Sequence, residues 1–186
     1  MIKKVLMSLV VIFLSNNLYS QTYNNDSCNL SHKILYGVAK NERHAKRDVG
    51  YPYLISFNDS EDMKKVKQDL EQLKMIFLDD RTIDCKSKEI CAAVTKYLIE
   101  NNSIVNLDLG GFQHCYRFYK YSYENYFDLE KSYFKTCQII SNNISKYGFT
   151  WEAIARYYNK DEAKNKFYRE NLQNNLMETY PELAMN

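Results

Sequence analysis

Turn-forming residues are scarce in this chain, and their scarcity limits the folds that are open to it. Only five glycines and two prolines occur among its 186 residues. Because Gly and Pro are the residues that most often interrupt regular structure, so few of them favour long helices joined by short connections. The length is sufficient for one domain with a substantial hydrophobic core.

Amphipathic periodicity supports the same conclusion. In several segments apolar residues recur at three- and four-residue steps, which is the spacing of one helix face. The clearest stripe follows cap candidates at residues 58–60 and consists of Met63, Val66, Leu70, Leu73 and Phe77. Cap residues and apolar spacing predict further helices over residues 26–43, 88–100, 129–147, 151–158 and 161–177.

Two other segments favour strands. Residues 51–57 and 104–109 contain β-forming residues and few helix formers, and Gly110 and Gly111 close the second segment. Many helices combined with two short strands predict an α+β fold that is mainly α, with a small two-strand element.

The beginning of the chain differs in composition from the rest. Lys3 and Lys4 precede an apolar run over residues 5–14, and Ser20 offers a small residue before a cleavage point. This order predicts a secretory signal peptide over residues 1–20 and export to the periplasm. The apolar run is too short to span a bilayer, so an uncleaved anchor is the less favoured alternative.

The charge balance of the predicted mature domain, residues 21–186, argues against one class of partner. Removal of the two signal-peptide lysines leaves equal numbers of basic and acidic residues. A protein that binds nucleic acid would usually carry a basic excess. We therefore expect no nucleic acid among its partners.

All five cysteines lie in the mature domain, and an oxidising compartment predicts disulfides between them. Cys85 and Cys91 are close enough to bridge a short loop, the other pairing stays open, and an odd thiol is left over. A zinc site is the rival interpretation, helped by the neighbours His114 and Cys115. It lacks the paired short Cys or His spacings of such sites, so we predict no metal or cofactor.

Glu42 is the candidate acid of the sequence. It follows Val38 by four residues and Ile34 by eight, so the three share nearly one face of the first predicted helix. Partial burial and the helix C-terminus both raise the pKa of a carboxyl group there, which favours the protonated form of a general acid. The alternative is a surface glutamate paired with one of the basic residues after it, and this feature alone favours that alternative.

Three segments that occur in a particular order along the chain favour the interpretation of Glu42 as a general acid over that of a surface glutamate. Residues 34–42 (ILYGVAKNE) resemble the helix of the soluble lytic transglycosylase superfamily that ends in its catalytic glutamate. Residues 107–113 (LDLGGFQ) look like that family's Gly-x-Met/Phe-Gln motif. Residues 147–157 (YGFTWEAIARY) are similar to its Tyr-Gly-x-x-Trp segment, most closely in the small transglycosylases that accompany secretion and conjugation machines.

The resemblance implies a lysozyme-like fold, in which residues 59–103 form a helical insertion between the catalytic glutamate and the Gly-x-Phe-Gln motif. It also implies cleavage of the MurNAc–GlcNAc β-1,4 bond in peptidoglycan glycan strands. Glu42 would protonate the leaving oxygen and then act as base while the sugar's own 6-hydroxyl closes a 1,6-anhydro ring. One carboxylate suffices for this reaction, unlike the usual glycosidase pair. A cell-envelope secretion or conjugation apparatus is the implied partner.

Substrate-binding roles follow from the same resemblance for Gly110, Phe112, Gln113 and Tyr157. Glycine lets backbone approach a bound sugar closely, and the amide of Gln113 can both donate and accept hydrogen bonds. The alternatives are a surface glutamine and a core tyrosine. Tyr116 opens a stretch rich in aromatic residues directly after Gln113, so we expect its ring to stack on a sugar.

Four positions depart from the family pattern. Arg43 stands where the family has serine, His114 and Cys115 stand where it has isoleucine and asparagine, and Tyr158 stands where it has asparagine. These departures motivate a second hypothesis, namely a catalytically impaired protein that binds peptidoglycan or scaffolds a secretion apparatus.

A third hypothesis is a hydrolytic lysozyme, which would need a second carboxylate near Glu42. Asp48 and Asp108 are the available candidates. Neither has support from the motifs, and we interpret both as surface or turn residues.

Overall fold

The computed structural model describes residues 28–181, and the predicted signal peptide at residues 1–20 lies outside this range. The fold is α+β and mainly α, as the sequence predicts. Its elements follow in the order α1 His32–Asn41, β1 Leu54–Phe57, α2 Ser60–Gln72, β2 Ile76–Phe77, β3 Thr82–Asp84, α3 Lys88–Glu100, β4 Leu107–Leu109, β5 His114–Cys115, α4 Tyr123–Tyr126, α5 Leu129–Tyr147, α6 Trp151–Ala155 and α7 Glu162–Thr179.

The prediction of a two-strand element is wrong, because the sheet formed within residues 28–181 has five strands. Their order is β2-β3-β1-β4-β5, and every neighbouring pair is antiparallel. The two predicted strands form β1 and β4 at its centre. The other three contain only two or three residues each, which is too few to show the alternation that identifies a strand.

Several helix boundaries also differ from the sequence prediction. The first helix begins at His32, where the Ser31 hydroxyl accepts a hydrogen bond from the Lys33 amide, and not near residue 26. The stripe of α2 stops at Leu70, because Lys74 adopts a left-handed conformation (φ 57°) that ends the helix. Phe77 therefore falls on β2.

Other helices form where their local signals place them. The bounds of α3 and α5 agree with the predicted ranges 88–100 and 129–147. Gly148 ends α5 with φ 83°, a conformation that residues with a side chain rarely adopt. The Thr150 hydroxyl accepts a hydrogen bond from the Ala153 amide and so caps α6, which begins at Trp151 as predicted but ends at Ala155 and not at residue 158.

The described part of the chain contains two hydrophobic cores, which divide it into two halves. The sheet half comprises β1–β5 with α2, α3 and α4, and it is continuous in sequence. The helical half combines α1 with α5, α6 and α7, so it joins the beginning of the described chain to its end. Among its contacts, α7 packs on both α1 and α6, and Gly37 lets α1 approach Leu176 so closely that a Cβ would lie 2.5 Å from that side chain.

Each half contains one disulfide, which confirms the prediction of disulfides. Cys85 and Cys91 bridge the short segment between β3 and α3. Cys28 joins Cys137 on α5 across 109 residues, and this resolves the pairing that the sequence left open. Cys115 is the free thiol. Within residues 28–181, no helix has both the length and the apolar character needed to cross a bilayer.

Candidate active site

A cleft of about 370 Å³ lies where the helical half meets the sheet half. The helical half contributes the end of α1 and the connection between α6 and α7. The sheet half contributes the end of β1, the strands β4 and β5 and the turn after them. The lining residues are Glu42, Asn58, Asn106, Asp108, Gln113, Cys115, Phe118, Tyr119, Arg156, Tyr157, Tyr158, Asn159 and Lys160.

Three of the residues that the sequence singles out meet in this cleft: Glu42, Gln113 and Tyr157. They come from three separate segments of the chain. Tyr157 is largely buried, and its hydroxyl donates a hydrogen bond to the backbone carbonyl of Phe112. The Phe112 side chain packs in the core of the helical half and does not line the cleft.

Gly110 and Tyr116 also lie outside the cleft lining. Gly110 has φ 79°, and a Cβ on it would lie 2.0 Å from the carbonyl oxygen of Tyr126, so packing against α4 requires glycine there. The ring of Tyr116 packs on Tyr123 and Tyr126, with centroids 6.2 and 6.3 Å apart, against the core of the sheet half. Neither residue is placed to contact a ligand in the cleft.

The carboxyl group of Glu42 is held at the C-terminal cap of α1. The backbone N–H of Glu42 donates to the Val38 carbonyl at 3.0 Å, and the residue is partly exposed towards the cleft. Burial of the carboxyl among protein atoms raises its pKa from 4.5 to about 8, and the charge of Asp108 adds to the rise. Because this pKa exceeds 7, Glu42 is mainly protonated at neutral pH.

Two of the three basic residues that follow Glu42 closely, Lys46 and Arg47, have other partners. Arg47 binds the buried carboxylate of Asp84, with Nε 2.8 Å from its Oδ2. The Lys46 ammonium donates to the Leu78 carbonyl. Within the described chain, no ion pair involves Glu42, so its environment is that of a desolvated acid.

Tyr168 is a site residue that sequence reasoning missed. It lies on the buried face of α7, and its hydroxyl makes no hydrogen bond of normal geometry among the described residues. Burial raises the pKa of Tyr168 well above its ordinary value, and the charge of Glu42 raises it further. In return, the hydroxyl lowers the pKa of Glu42, so the two groups face each other in a loose contact.

A second tyrosine covers this contact from the cleft side. The ring of Tyr158 stacks on that of Tyr168, with centroids 4.8 Å apart and planes 4° from parallel. Tyr158 is 57% exposed and lines the cleft. Its outer face is therefore open to a ligand, while its inner face packs on the tyrosine beside Glu42.

Asp108 is a strand residue of the cleft, and its interpretation as a surface or turn residue is wrong. It pairs with Cys115 across β4 and β5, and it lines the cleft. Burial raises the pKa of Asp108, whereas hydrogen bonds from the Asn58 and Cys115 side chains lower it. Asp48, by contrast, is exposed in a loop.

The free thiol of Cys115 is not a strong nucleophile. Burial and the neighbouring charge of Asp108 raise its pKa to about 11. Because the thiolate is the reactive species, a thiol with this pKa stays protonated and unreactive at neutral pH. Within residues 28–181, no cluster of three or more His, Cys, Asp or Glu side chains is arranged to hold a metal ion.

Gln113 lines the cleft, and its side-chain amide already makes one hydrogen bond within the protein. Its Nε2 donates to the Gly110 carbonyl at 2.6 Å, which fixes the side chain. Its backbone has φ 49°, a conformation that costs a residue with a side chain on the order of 1–3 kcal/mol. Asn58 and Asn106 lie on the same side of the cleft, so this wall consists mainly of groups that donate and accept hydrogen bonds.

The positive groups of the cleft lie at its other wall. Arg156 pairs with Glu152, with Nε 3.2 Å from Oε1, and its guanidinium lies 4.2 Å from the centroid of the Tyr147 ring. Lys160 follows on the exposed connection to α7. The cleft can therefore bind a ligand rich in hydroxyl and amide groups that also carries negative charge at one end.

Comparisons of the chain with known protein families, with curated proteins and with solved structures give no match. The arrangement of this cleft is therefore the feature of the molecule that points to a function. Its central feature is one protonated carboxyl group, from Glu42, flanked by Tyr157 and Tyr168 on its own half and faced by Gln113 and Asp108 on the other.

Proposed function

We propose that this chain is a periplasmic lytic transglycosylase of lysozyme-like fold, which cleaves the MurNAc–GlcNAc β-1,4 bond of peptidoglycan. One observation carries the proposal. Glu42, Gln113 and Tyr157, which lie in three ordered segments resembling that family, line one cleft, and burial raises the pKa of Glu42 to about 8. A glutamic acid that is protonated at neutral pH is the group that such a reaction needs first.

In the proposed reaction, Glu42 transfers its proton to the glycosidic oxygen, and the bond from that oxygen to C1 of MurNAc breaks. The carboxylate then removes the proton of the C6 hydroxyl of the same sugar. Oxygen O6 bonds to C1, which gives 1,6-anhydroMurNAc and returns Glu42 to its protonated form. Water takes no part, and a second carboxylate is not required.

The two tyrosines beside Glu42 have different supporting roles. Tyr157 is anchored by its hydrogen bond to the Phe112 carbonyl, so its hydroxyl is held near the acid. Tyr168 has no competing hydrogen bond of normal geometry, so its hydroxyl can stabilise the Glu42 carboxylate in the second step. Gln113, Asn58 and Asn106 would bind hydroxyl and acetamido groups of the glycan.

The compartment and the partner belong to the same proposal. Two disulfides within the described chain are consistent with an oxidising compartment such as the periplasm. There the enzyme would act on intact glycan strands, in the service of a secretion or conjugation apparatus that crosses the cell envelope.

Product analysis tests the proposal directly. Purified mature protein should release anhydro-muropeptides from peptidoglycan sacculi, identified by mass spectrometry. Glu42→Gln should release none, because its amide cannot donate the proton. Asp108→Asn is the matched control on the opposite wall, and it should still give anhydro products. Identical products from wild type and Glu42→Gln would refute the role of Glu42.

A hydrolytic lysozyme is the second candidate, and the position of Asp108 in the cleft is the observation that favours it. In a retaining or inverting hydrolase the second carboxylate must be ionised. Burial works against this by raising the pKa of Asp108. Reducing ends in place of anhydro ends, lost on Asp108→Asn substitution, would identify the hydrolase.

A further inference from the structure

Residues 156–160, the connecting segment between α6 and α7, all line the cleft. Tyr158 and Lys160 are exposed there, and the outer face of the Tyr158 ring is open to a ligand. The segment lies outside the regular helices on either side of it. Its backbone groups therefore need other partners if the segment is to keep one conformation.

Two side chains hold the backbone of the connecting segment. Nδ2 of Asn165 donates to the Asn159 carbonyl at 3.0 Å, and Nη1 of Arg156 donates to the Lys160 carbonyl at 2.9 Å. Asn165 is fully buried on α7, and a hydrogen bond made away from water is the stronger for it. The two carbonyls that follow Tyr158 are thus fixed by side chains.

The carboxylate of Glu152 on α6 contacts both of these side chains. Its Oε1 accepts from Nδ2 of Asn165 at 3.1 Å and lies 3.2 Å from Nε of Arg156. Its Oε2 accepts from Nη1 of Arg169 at 3.0 Å. Because two guanidinium groups hold this carboxylate in place, it can orient the amide of Asn165.

The neighbours of Asn165 determine which way its amide points. A carboxylate and a backbone carbonyl only accept hydrogen bonds, so the NH₂ group must face Glu152 and the Asn159 carbonyl. The Oδ1 atom has no hydrogen-bond partner among residues 28–181, and such an orphan acceptor costs stability at a buried position. The main contribution of Asn165 is therefore to hold the two groups that accept from its amide.

Arg169 offers a comparison on the same helix. It lies one turn after Asn165, on the same face of α7, and it binds the same carboxylate. Its other ionic contact is Glu162, 3.9 Å away. Within the described chain, Arg169 makes no hydrogen bond to the connecting segment, whereas Asn165 does.

We propose that Asn165 is a positioning residue, oriented by Glu152, which holds the connecting segment so that Tyr158 and Lys160 face a ligand in the cleft. That this ligand is a glycan strand rests on the proposed transglycosylase function. The tyrosine ring offers a stacking surface to a sugar, and the ammonium group offers a partner to an acidic group of the same ligand. Glu42 is held separately, at the cap of α1.

Two substitutions on α7 test this role, because both touch Glu152 but only one touches the connecting segment. Asn165→Ala should raise KM for solubilised glycan strands roughly tenfold and leave kcat within about twofold, because ligand contacts are misplaced while the acid is not. Arg169→Met, the matched control, should lower the melting temperature and leave KM unchanged. An equal rise of KM in both variants, or no rise in Asn165→Ala, would overturn the proposal.

Glu152→Ala removes the group that orients Asn165. It should raise KM at least as much as Asn165→Ala does, and the double variant should be no worse than Glu152→Ala, because both changes act through one amide. Effects on KM that multiply in the double variant would show independent roles and contradict the proposal. If Glu152→Ala does not fold, the pair of substitutions on α7 still decides.

A measurement without substrate separates this proposal from the proposed function. Hydrogen–deuterium exchange reports on the backbone amides of Tyr158, Asn159 and Asp161, which bond within or beside the connecting segment. In Asn165→Ala these amides should exchange at least about tenfold faster than in wild type, and in Arg169→Met they should not. Unchanged exchange in Asn165→Ala would overturn the positioning role even in an active enzyme. An inactive wild type with the expected exchange would instead defeat the transglycosylase proposal.

Discussion

The helical half brings an acid to the cleft, whereas the sheet half brings mainly amides. Glu42 and Tyr157 stand at or just beyond helix ends, Tyr168 lies within α7, and burial raises the pKa of all three. Gln113 and Asn58 stand at strand ends and turns, where hydrogen bonding is their contribution. Under the proposed function, proton transfer and recognition of the sugar hydroxyl and acetamido groups would therefore belong to different walls, which separate substitutions can probe.

The two halves differ in chain connectivity as well. The sheet half is one continuous segment, and its disulfide closes a span of 6 residues. The helical half joins α1 to the last three helices, and its disulfide spans 109 residues. The stability of the helical half therefore depends more than that of the sheet half on contacts and a disulfide that join distant parts of the chain.

The largest expected effect concerns kinetics on the two walls. Glu42→Gln should lower kcat by at least 10²- to 10⁴-fold, the range for loss of a general acid or base. Gln113→Ala should mainly raise KM, by roughly tenfold, the order expected for one lost hydrogen bond to a ligand. Steady-state rates of anhydro product release would measure both. A Gln113→Ala variant that lost kcat alone would break the division between the walls.

The next largest expected difference between the halves is the loss of stability when each disulfide is removed. Replacing Cys28 and Cys137 by serine should cost about 4–5 kcal/mol of unfolding free energy, because the loop they close is long. The same change at Cys85 and Cys91 should cost about 2 kcal/mol, because their loop is short. Urea denaturation of the two double variants provides the measurement. Equal losses would show that loop length does not govern these bridges.

The pH dependence of stability should distinguish Glu42 from residues outside the cleft. Because its pKa rises from 4.5 to about 8 on folding, its contribution is fully present below pH 4.5 and is lost as pH rises through 8. Wild type and Glu42→Gln should therefore converge in stability near pH 4. Above pH 8 the variant should be more stable by on the order of 2–4 kcal/mol, a value reduced for the partial exposure of the residue.

Thermal unfolding of both proteins from pH 4 to 9 would test this dependence. Glu61→Gln is a suitable control, because Glu61 is an exposed carboxylate on α2 that pairs with Lys64. Its difference from wild type should stay small across the range, as is usual for an exposed ion pair. A parallel pH dependence for wild type and Glu42→Gln would mean that Glu42 titrates as an ordinary surface acid.

The smallest expected difference is that between alanine substitutions at two glycines with nearly equal φ, Gly110 in the sheet half and Gly148 in the helical half. Gly110→Ala in the sheet half should cost about 3 kcal/mol or more, because the strain of a positive φ adds to a 2.0 Å contact with backbone. Gly148→Ala in the helical half should cost about 1–2 kcal/mol, since nothing lies within 4 Å of the added Cβ. Chemical denaturation would measure both, and a reversed order would contradict the packing of Gly110 against α4.

The sequence predicts the helices better than the sheet, for reasons visible in particular residues. Ser87 and Asp128 provide local cap signals, so α3 and α5 begin where expected. The position of Glu42 at a helix end follows from apolar spacing alone. Tyr168 could not be identified in this way, because its role arises only when α7 packs on α1.

Tyr116 illustrates a second limit. Its nearness to Gln113 in sequence suggests a place in the cleft, but side chains alternate across an extended segment. Cys115 faces the cleft, so His114 and Tyr116 on either side of it turn towards the interior. The side that a short strand turns to a cleft is decided by its pairing with β4, which local sequence does not encode.

The discontinuity of the helical half also has a consequence for the order in which the protein is made. During synthesis α1 emerges first, but its packing partners α5, α6 and α7 emerge last. The intervening sheet half can fold while α1 still lacks its packing partners. The surroundings that raise the proton affinity of Glu42 are therefore incomplete until α7 has been translated, so a nascent or truncated chain without α7 carries the acid in an ordinary, ionised form.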